Sequence, residues 1–129
     1  PVKLVVLQKP EDVAELEAMN AAALGNPDAH PFYGAPVVCV VLADPERYTC
    51  VEDASLVMGN LMLAAHSLGV ASCWIHRARE EFDSPAGKAL LQKWGVDERY
   101  IGVGHCILGY AASEAPAPKP RKNDYVIYR

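Results

Sequence analysis

Leu68-Gly69-Val70-Ala71-Ser72-Cys73-Trp74-Ile75-His76-Arg77 holds the end of a helix, a strand and a change of polarity within ten residues. Gly69 stands where a helix needs a left-handed residue after its last turn, a conformation glycine reaches without a Cβ penalty. Val70 to Ile75 is apolar and of strand length. His76 then opens a polar segment that runs to Asp83.

Upstream of Gly69 the chain is apolar almost all round as far back as Thr49. Thr49 followed three residues later by Glu52 reads as a capping box. A helix apolar on every side must be buried, and Ala54, Gly59, Ala64 and Ala65 are small enough to let another backbone come close. An ordinary core helix carries the same pattern. Downstream, Ser84 caps a helix with Pro85 in its first position, Leu90, Leu91 and Trp94 on its apolar side and Gly95 after its end. Tyr100 to Tyr110 reads as a strand with glycine at 102, 104 and 109.

The N-terminal part repeats the alternation. Val2 to Leu7 is rich in β-branched residues and begins without a preceding turn, as if the chain were entered in the middle. Pro10 suits a first helical position, Glu11 and Asp12 suit the positive helix end, and Val13, Leu16, Asn20 and Ala23 recur at helical spacing before Gly25. This reads as a surface helix. Asn26 to Gly34 is loop, and Pro36 to Leu42 is an apolar strand without alternation, which implies burial on both faces. Strands alternating with helices at this spacing suggest a parallel sheet.

A chain of 129 residues that is 51% hydrophobic has the size and apolar content of one domain, residues 1–129. Its net charge of −4 offers no field for a polyanion, so sequence-independent nucleic-acid binding is not expected. Apolar stretches are too short for a membrane span, and the expected setting is soluble and cytoplasmic. Cys39, Cys50, Cys73 and Cys106 are scattered without a Cys-x-x-Cys pair, so neither zinc nor a disulfide is expected. Cys39, Cys73 and Cys106 lie in apolar runs and read as buried reduced thiols.

Chemical motifs are sparse. Gly102-Val103-Gly104 is the one candidate for a nucleotide loop, yet it sits inside a strand pattern with no helix after it. His30, His66, His76 and His105 share no metal-ligand spacing and read as loop, helix face, strand end and strand interior. Residues 111–129 change character: three prolines between Ala111 and Pro120, the basic run Lys119-Pro120-Arg121-Lys122, and a closing Tyr125-Val126-Ile127-Tyr128 that reads as a short strand. After so extended an arm, that strand could pair with a distant sheet or with another subunit.

Longer blocks carry a resemblance. Pro31 to Val38, Ser55 to Ala65, Leu68 to Arg77, Gly104 to Tyr110 and the tail Pro118 to Lys122 resemble, in order, consecutive blocks of the FMN-dependent nitroreductase family. The resemblance implies an α+β fold with a mostly antiparallel central sheet flanked by helices, overriding the parallel reading. It also implies an interwoven homodimer with FMN between the subunits. Its interface would centre on the helix from about Val51 to Leu68, with the C-terminal arm around the partner. The segment after the third strand would run past the flavin ring, which assigns Trp74, Ile75, His76 and Arg77 to it, and basic residues of the arm would hold the phosphate, which assigns Lys119 and Arg121. Lys119 and Arg121 stand two apart on extended backbone and so point alike; a solubilising basic tail has the same composition. The family's N-terminal helices, with further phosphate and ring contacts, would precede Pro1.

The activity implied is transfer of a hydride from NADH or NADPH through FMN to a nitroaromatic, quinone or similar small acceptor in a ping-pong cycle. Because the flavin carries the chemistry, no catalytic side chain and no metal is expected. Two other classes stay open: a flavin-binding or flavin-storing protein without turnover, and a cofactor-free interaction domain.

Overall fold

The computed structural model describes residues 1–129. Eight elements follow one another: β1 (Val2–Leu7), α1 (Pro10–Ala23), β2 (Val37–Ala43), α2 (Cys50–Ser67), β3 (Ala71–Ile75), α3 (Ala78–Asp83), α4 (Pro85–Lys93) and β4 (Ile101–Gly109). The strands form one sheet in the order β1-β2-β4-β3. Every pairing is antiparallel. The parallel arrangement suggested by element spacing is therefore wrong, and the α+β reading holds. The reason is visible at Leu7, which pairs with Val38, so β2 starts beside the end of β1. Helix α1 and the loop after it form a closed detour instead of a crossover to the far end of the sheet.

β2 explains how one apolar run serves two faces. Val38, Val40 and Leu42 join Leu7, Leu16, Phe32, Phe82 and Leu91 in one core, while Cys39, Val41 and Ala43 join Ala54 and Met58 in a second core beneath α2. Successive side chains of a strand point to opposite faces, so burial of both requires helices on both. The sheet is accordingly sandwiched between α2 on one side and α1, α3 and α4 on the other.

Gly102-Val103-Gly104 proves to be a bulge. Val41 pairs with Gly104 and Leu42 with Gly102, which leaves Val103 as the extra residue. Gly102 allows the backbone of Ala78 to approach, and the Trp74 indole occupies the space where a Cβ on Gly104 would sit.

Several local readings need correction. Thr49 precedes α2, but its hydroxyl bonds Asp53 Oδ2 at 2.9 Å and the capping box with Glu52 does not form. Ser84 caps α4 as expected, its Oγ accepting from the Gly87 amide at 3.0 Å. The polar segment from His76 to Asp83 contains α3, which buries Ala78, Glu81 and Phe82 at helical spacing. Tyr125 to Tyr128 forms no strand and is exposed, because no sheet edge within the chain receives it. All four cysteines are free, and Cys39 and Cys106 are buried as the apolar runs suggested, but Cys73 is exposed; Cys50, outside those runs, is buried as well.

Helix α2 is buried on one side only. Cys50, Ala54, Met58 and Ala65 face the sheet, whereas Leu56 and Leu63 are each 69% exposed and Leu68 at its end 77%. The chain's own elements do not cover this apolar face.

Candidate functional site

β3 is an edge strand, paired to β4 on one side only, and it ends in a sharp turn into α3. Arg77 makes that turn with φ of 77° and ψ of 3°, in the left-handed region. A side chain there costs about 1–3 kcal/mol, which neighbouring structure must offset. The offset is a set of hydrogen bonds. Nε and Nη2 of Arg77 both donate to Oδ1 of Asn20, at 3.0 and 2.9 Å. Nδ2 of Asn20 donates to the His76 carbonyl at 2.8 Å and to Oε2 of Glu81 at 2.9 Å. The same Oε2 lies 2.5 Å from Nε2 of His105.

Asn20, Glu81 and His105 are the only buried polar or charged residues of the chain, and they form one connected group. α1 supplies the first, α3 the second and β4 the third. Phe32 and Phe82 present their rings to the imidazole, with centroids 5.6 and 6.1 Å away. In so apolar a setting a buried carboxylate needs partners. Its second oxygen, Oε1, and Nδ1 of His105 have none.

What the turn leaves unpaired is backbone. The amides of His76 and Arg77 donate to no acceptor in the chain. Ile75 is buried in the core with Phe82, Trp74 is half-buried toward α2, the His76 ring is exposed 5.9 Å from the Trp74 ring, and Arg77 is half-buried. Trp74, Ile75, His76 and Arg77 thus form one continuous backbone strip, with the Trp74 and Ile75 side chains turned to opposite faces of the sheet. Lys119 and Arg121 are exposed, and no hydrogen bond or ion pair joins either to that strip; Arg121 lies over the Tyr125 ring at 5.3 Å.

Farther along the edge of β3, a cleft of about 290 Å3 is floored by Phe32 and Ile107 and flanked by Tyr33, Cys73 and Tyr110. This is at the lower limit for a small-molecule site, so a nucleotide-sized ligand would need further walls. On the other face of the sheet, burial pushes the Cys39 thiol up, and burial with the neighbouring thiols of Cys39 and Cys73 pushes that of Cys106 up to about 11. These groups remain protonated and poorly nucleophilic at neutral pH.

The sequence reading had missed Asn20, Glu81 and His105 as a group. Asn20 gave a signal, being polar within the apolar stripe of α1. Glu81 and His105 gave none, since their meeting depends on how α3 packs on β4.

A model of the nitroreductase family matches residues 1–110. The chain belongs to the nitroreductase family. Its matched region ends at Tyr110, one residue after the last strand. Among solved structures it is similar to a nitroreductase with bound FMN from Bacteroides fragilis NCTC 9343, at 26% identity and a TM-score of 0.86 over 98% of this chain and 75% of that one. A nitroreductase with bound FMN from Desulfitobacterium hafniense DCB-2 is similar at 26% identity and a TM-score of 0.84, over 98% and 74%. An FMN-dependent nitroreductase from Clostridium difficile, 24% identical with a TM-score of 0.78 over 98% and 74%, shares the fold. No curated protein matches. No helix is long and apolar enough to cross a membrane.

Proposed function

We propose that this nitroreductase-family chain is an FMN-dependent oxidoreductase that transfers hydride from NADH or NADPH to a nitroaromatic, quinone or related small acceptor. The observation that carries the reading is the turn at His76 and Arg77, whose two amides stand free at the end of an edge strand. Such donors fit the hydrogen-bond acceptors of a flavin ring edge, and FMN is bound in the two solved relatives that are 26% identical. When bound, FMN supplies the hydride chemistry, leaving the protein to bind, orient and exclude water.

In this reading Trp74 and Ile75 fix the strip, His76 and Arg77 present their amides to the ring, and Lys119 and Arg121 neutralise the phosphate. The active form is a homodimer. Leu56, Leu63 and Leu68 leave an apolar face on α2 that a second copy would cover, and the exposed Val126 and Ile127 of the arm suit the same role. The small volume of the cleft in one chain also favours a site completed by other walls. No nucleic-acid or membrane partner is part of this proposal.

A visible spectrum of the purified protein, recorded before and after anaerobic NADH or NADPH, tests the reading. Flavin absorbance that bleaches is the expected result. A flavin band that persists would make the protein a flavin binder or store. Failure to take up added FMN would leave an interaction domain.

A further inference from the structure

We infer that Asn20 is a positioning residue for the proposed flavin site, acting through the backbone of His76 and Arg77; the inference rests on the reading given under Proposed function. Asn20 is fully buried on α1 and 56 residues from His76 in sequence, yet every polar atom of its side chain is committed to this turn or its support. Oδ1 takes both Arg77 donors, and Nδ2 serves the His76 carbonyl and Glu81. Glu81 is in turn held by His105, walled by Phe32 and Phe82.

The direction of these bonds gives them a purpose. They engage the carbonyl of His76 and the side chain of Arg77, and leave the amides of both residues unpaired. Arg77 is left-handed, a conformation that a residue with a Cβ abandons readily when nothing holds it. The guanidinium is therefore occupied as an anchor, and the group offered to a ligand is the peptide backbone. An apolar residue at position 20 would suit burial on the face of α1 that carries Leu16 one turn away, but it would free the turn.

A contrast at position 77 separates this role from two simpler ones. Glycine takes a positive φ without cost and needs no anchor; alanine keeps the penalty and loses the anchor. FMN affinity is measured for Asn20→Ala, Arg77→Ala and Arg77→Gly, with hydrogen exchange of the Glu81 amide, which donates to the Arg77 carbonyl at 3.0 Å and so reports the turn, followed in the protein without added FMN. Expected are a loss of affinity of about tenfold or more for Asn20→Ala and Arg77→Ala, a smaller loss of under about threefold for Arg77→Gly, and faster exchange in the two alanine variants only. Equal losses for Arg77→Ala and Arg77→Gly would mean that the guanidinium itself touches the cofactor, and would overturn the inference. Unchanged exchange in Arg77→Ala would overturn the clamp, and this half-exposed position keeps the test available if Asn20→Ala does not fold. Faster exchange with unchanged FMN affinity would also overturn it. A wild-type protein that binds no FMN would remove the functional reading and the positioning role together, while the exchange data would still report whether Asn20 holds the turn.

Discussion

His105 on β4 and Glu81 on α3 meet at 2.5 Å with both side chains out of contact with solvent. Nothing else charged touches the pair, apart from Arg77 acting through Asn20. Replacing His105 by leucine leaves Glu81 Oε2 with Asn20 Nδ2 as its one remaining hydrogen-bond partner and should cost about 1–3 kcal/mol, the range for leaving a buried polar group short of a partner. Replacing Glu81 and His105 together by leucine should cost less than either single change. Urea unfolding of the three variants checks this, and additive single costs would contradict it.

The two bulge glycines should respond differently to alanine. At Gly102 a new Cβ meets the backbone of Ala78, which α3 cannot move without shifting Phe82, so a loss of about 2–3 kcal/mol is expected. At Gly104 it meets the Trp74 indole, a side chain that can rotate. Gly104→Ala should cost less and redshift the tryptophan emission as Trp74 is expelled. Equal destabilisation with unchanged fluorescence would show that Trp74 does not lie over the bulge.

The thiols supply a pH-dependent expectation. Cys106 is raised to about 11 by burial and by its thiol neighbours, above its usual value of 9.0. The unfolded chain releases this proton first, so the contribution is intact below about pH 9 and is lost as pH rises through about 11, amounting to about 2–3 kcal/mol. Chemical denaturation between pH 8 and 11 should show that fall, and Cys106→Ala should flatten it. At pH 8 the exposed Cys73 should react with a thiol reagent well before Cys39 and Cys106.

These expectations divide between what the residues announced and what only packing revealed. The double-sided burial of β2 was legible because Val38 to Ala43 leave no polar position for water. The caps at Ser84 and Gly69 were legible because each is a local hydrogen-bond or backbone requirement. Strand direction was not, since the distance between Leu7 and Val38 along the chain is the same for a detour and for a crossover. The extra residue Val103 was visible as a glycine pair, but its role depends on Val41 and Leu42 opposite. The meeting of Asn20, Glu81 and His105 has no spacing rule, because three elements from distant parts of the sequence supply one residue each. Tyr125 to Tyr128 has strand composition, but a strand needs a partner, and this segment pairs with neither free edge of the sheet, β1 or β3.

The uncovered face of α2 gives a prediction about assembly. Leu56 and Leu63 lie on the same side of the helix two turns apart and touch nothing in the chain's own core. Changing either to lysine should leave the fold of one chain intact, and by placing a charge in an apolar interface it should raise the dimer dissociation constant by about a hundredfold or more. Sedimentation at micromolar concentration should show a dimer for the wild type and a monomer for Leu63→Lys. A wild-type monomer would remove the dimer from the proposal.

The arm carries the most specific expectation. Lys119 and Arg121 are exposed and form no ion pair within the chain, so their cost of recruitment to an anion is chiefly the ordering of the arm. Arginine presents a fork to phosphate oxygens and lysine a point charge. Loss of either by substitution with alanine should weaken FMN binding by about 1.5–3 kcal/mol, the range for hydrogen bonds to charged groups. Riboflavin has the same ring and no phosphate, so its affinity should barely change in the same variants. Raising the salt concentration should weaken FMN more than riboflavin in the wild type, and that difference should shrink in Lys119→Ala and Arg121→Ala. If both ligands weaken together, the arm supports the ring site or the dimer and not the phosphate. If neither weakens, Lys119 and Arg121 are surface charges of a solvated tail, and the phosphate must be held elsewhere.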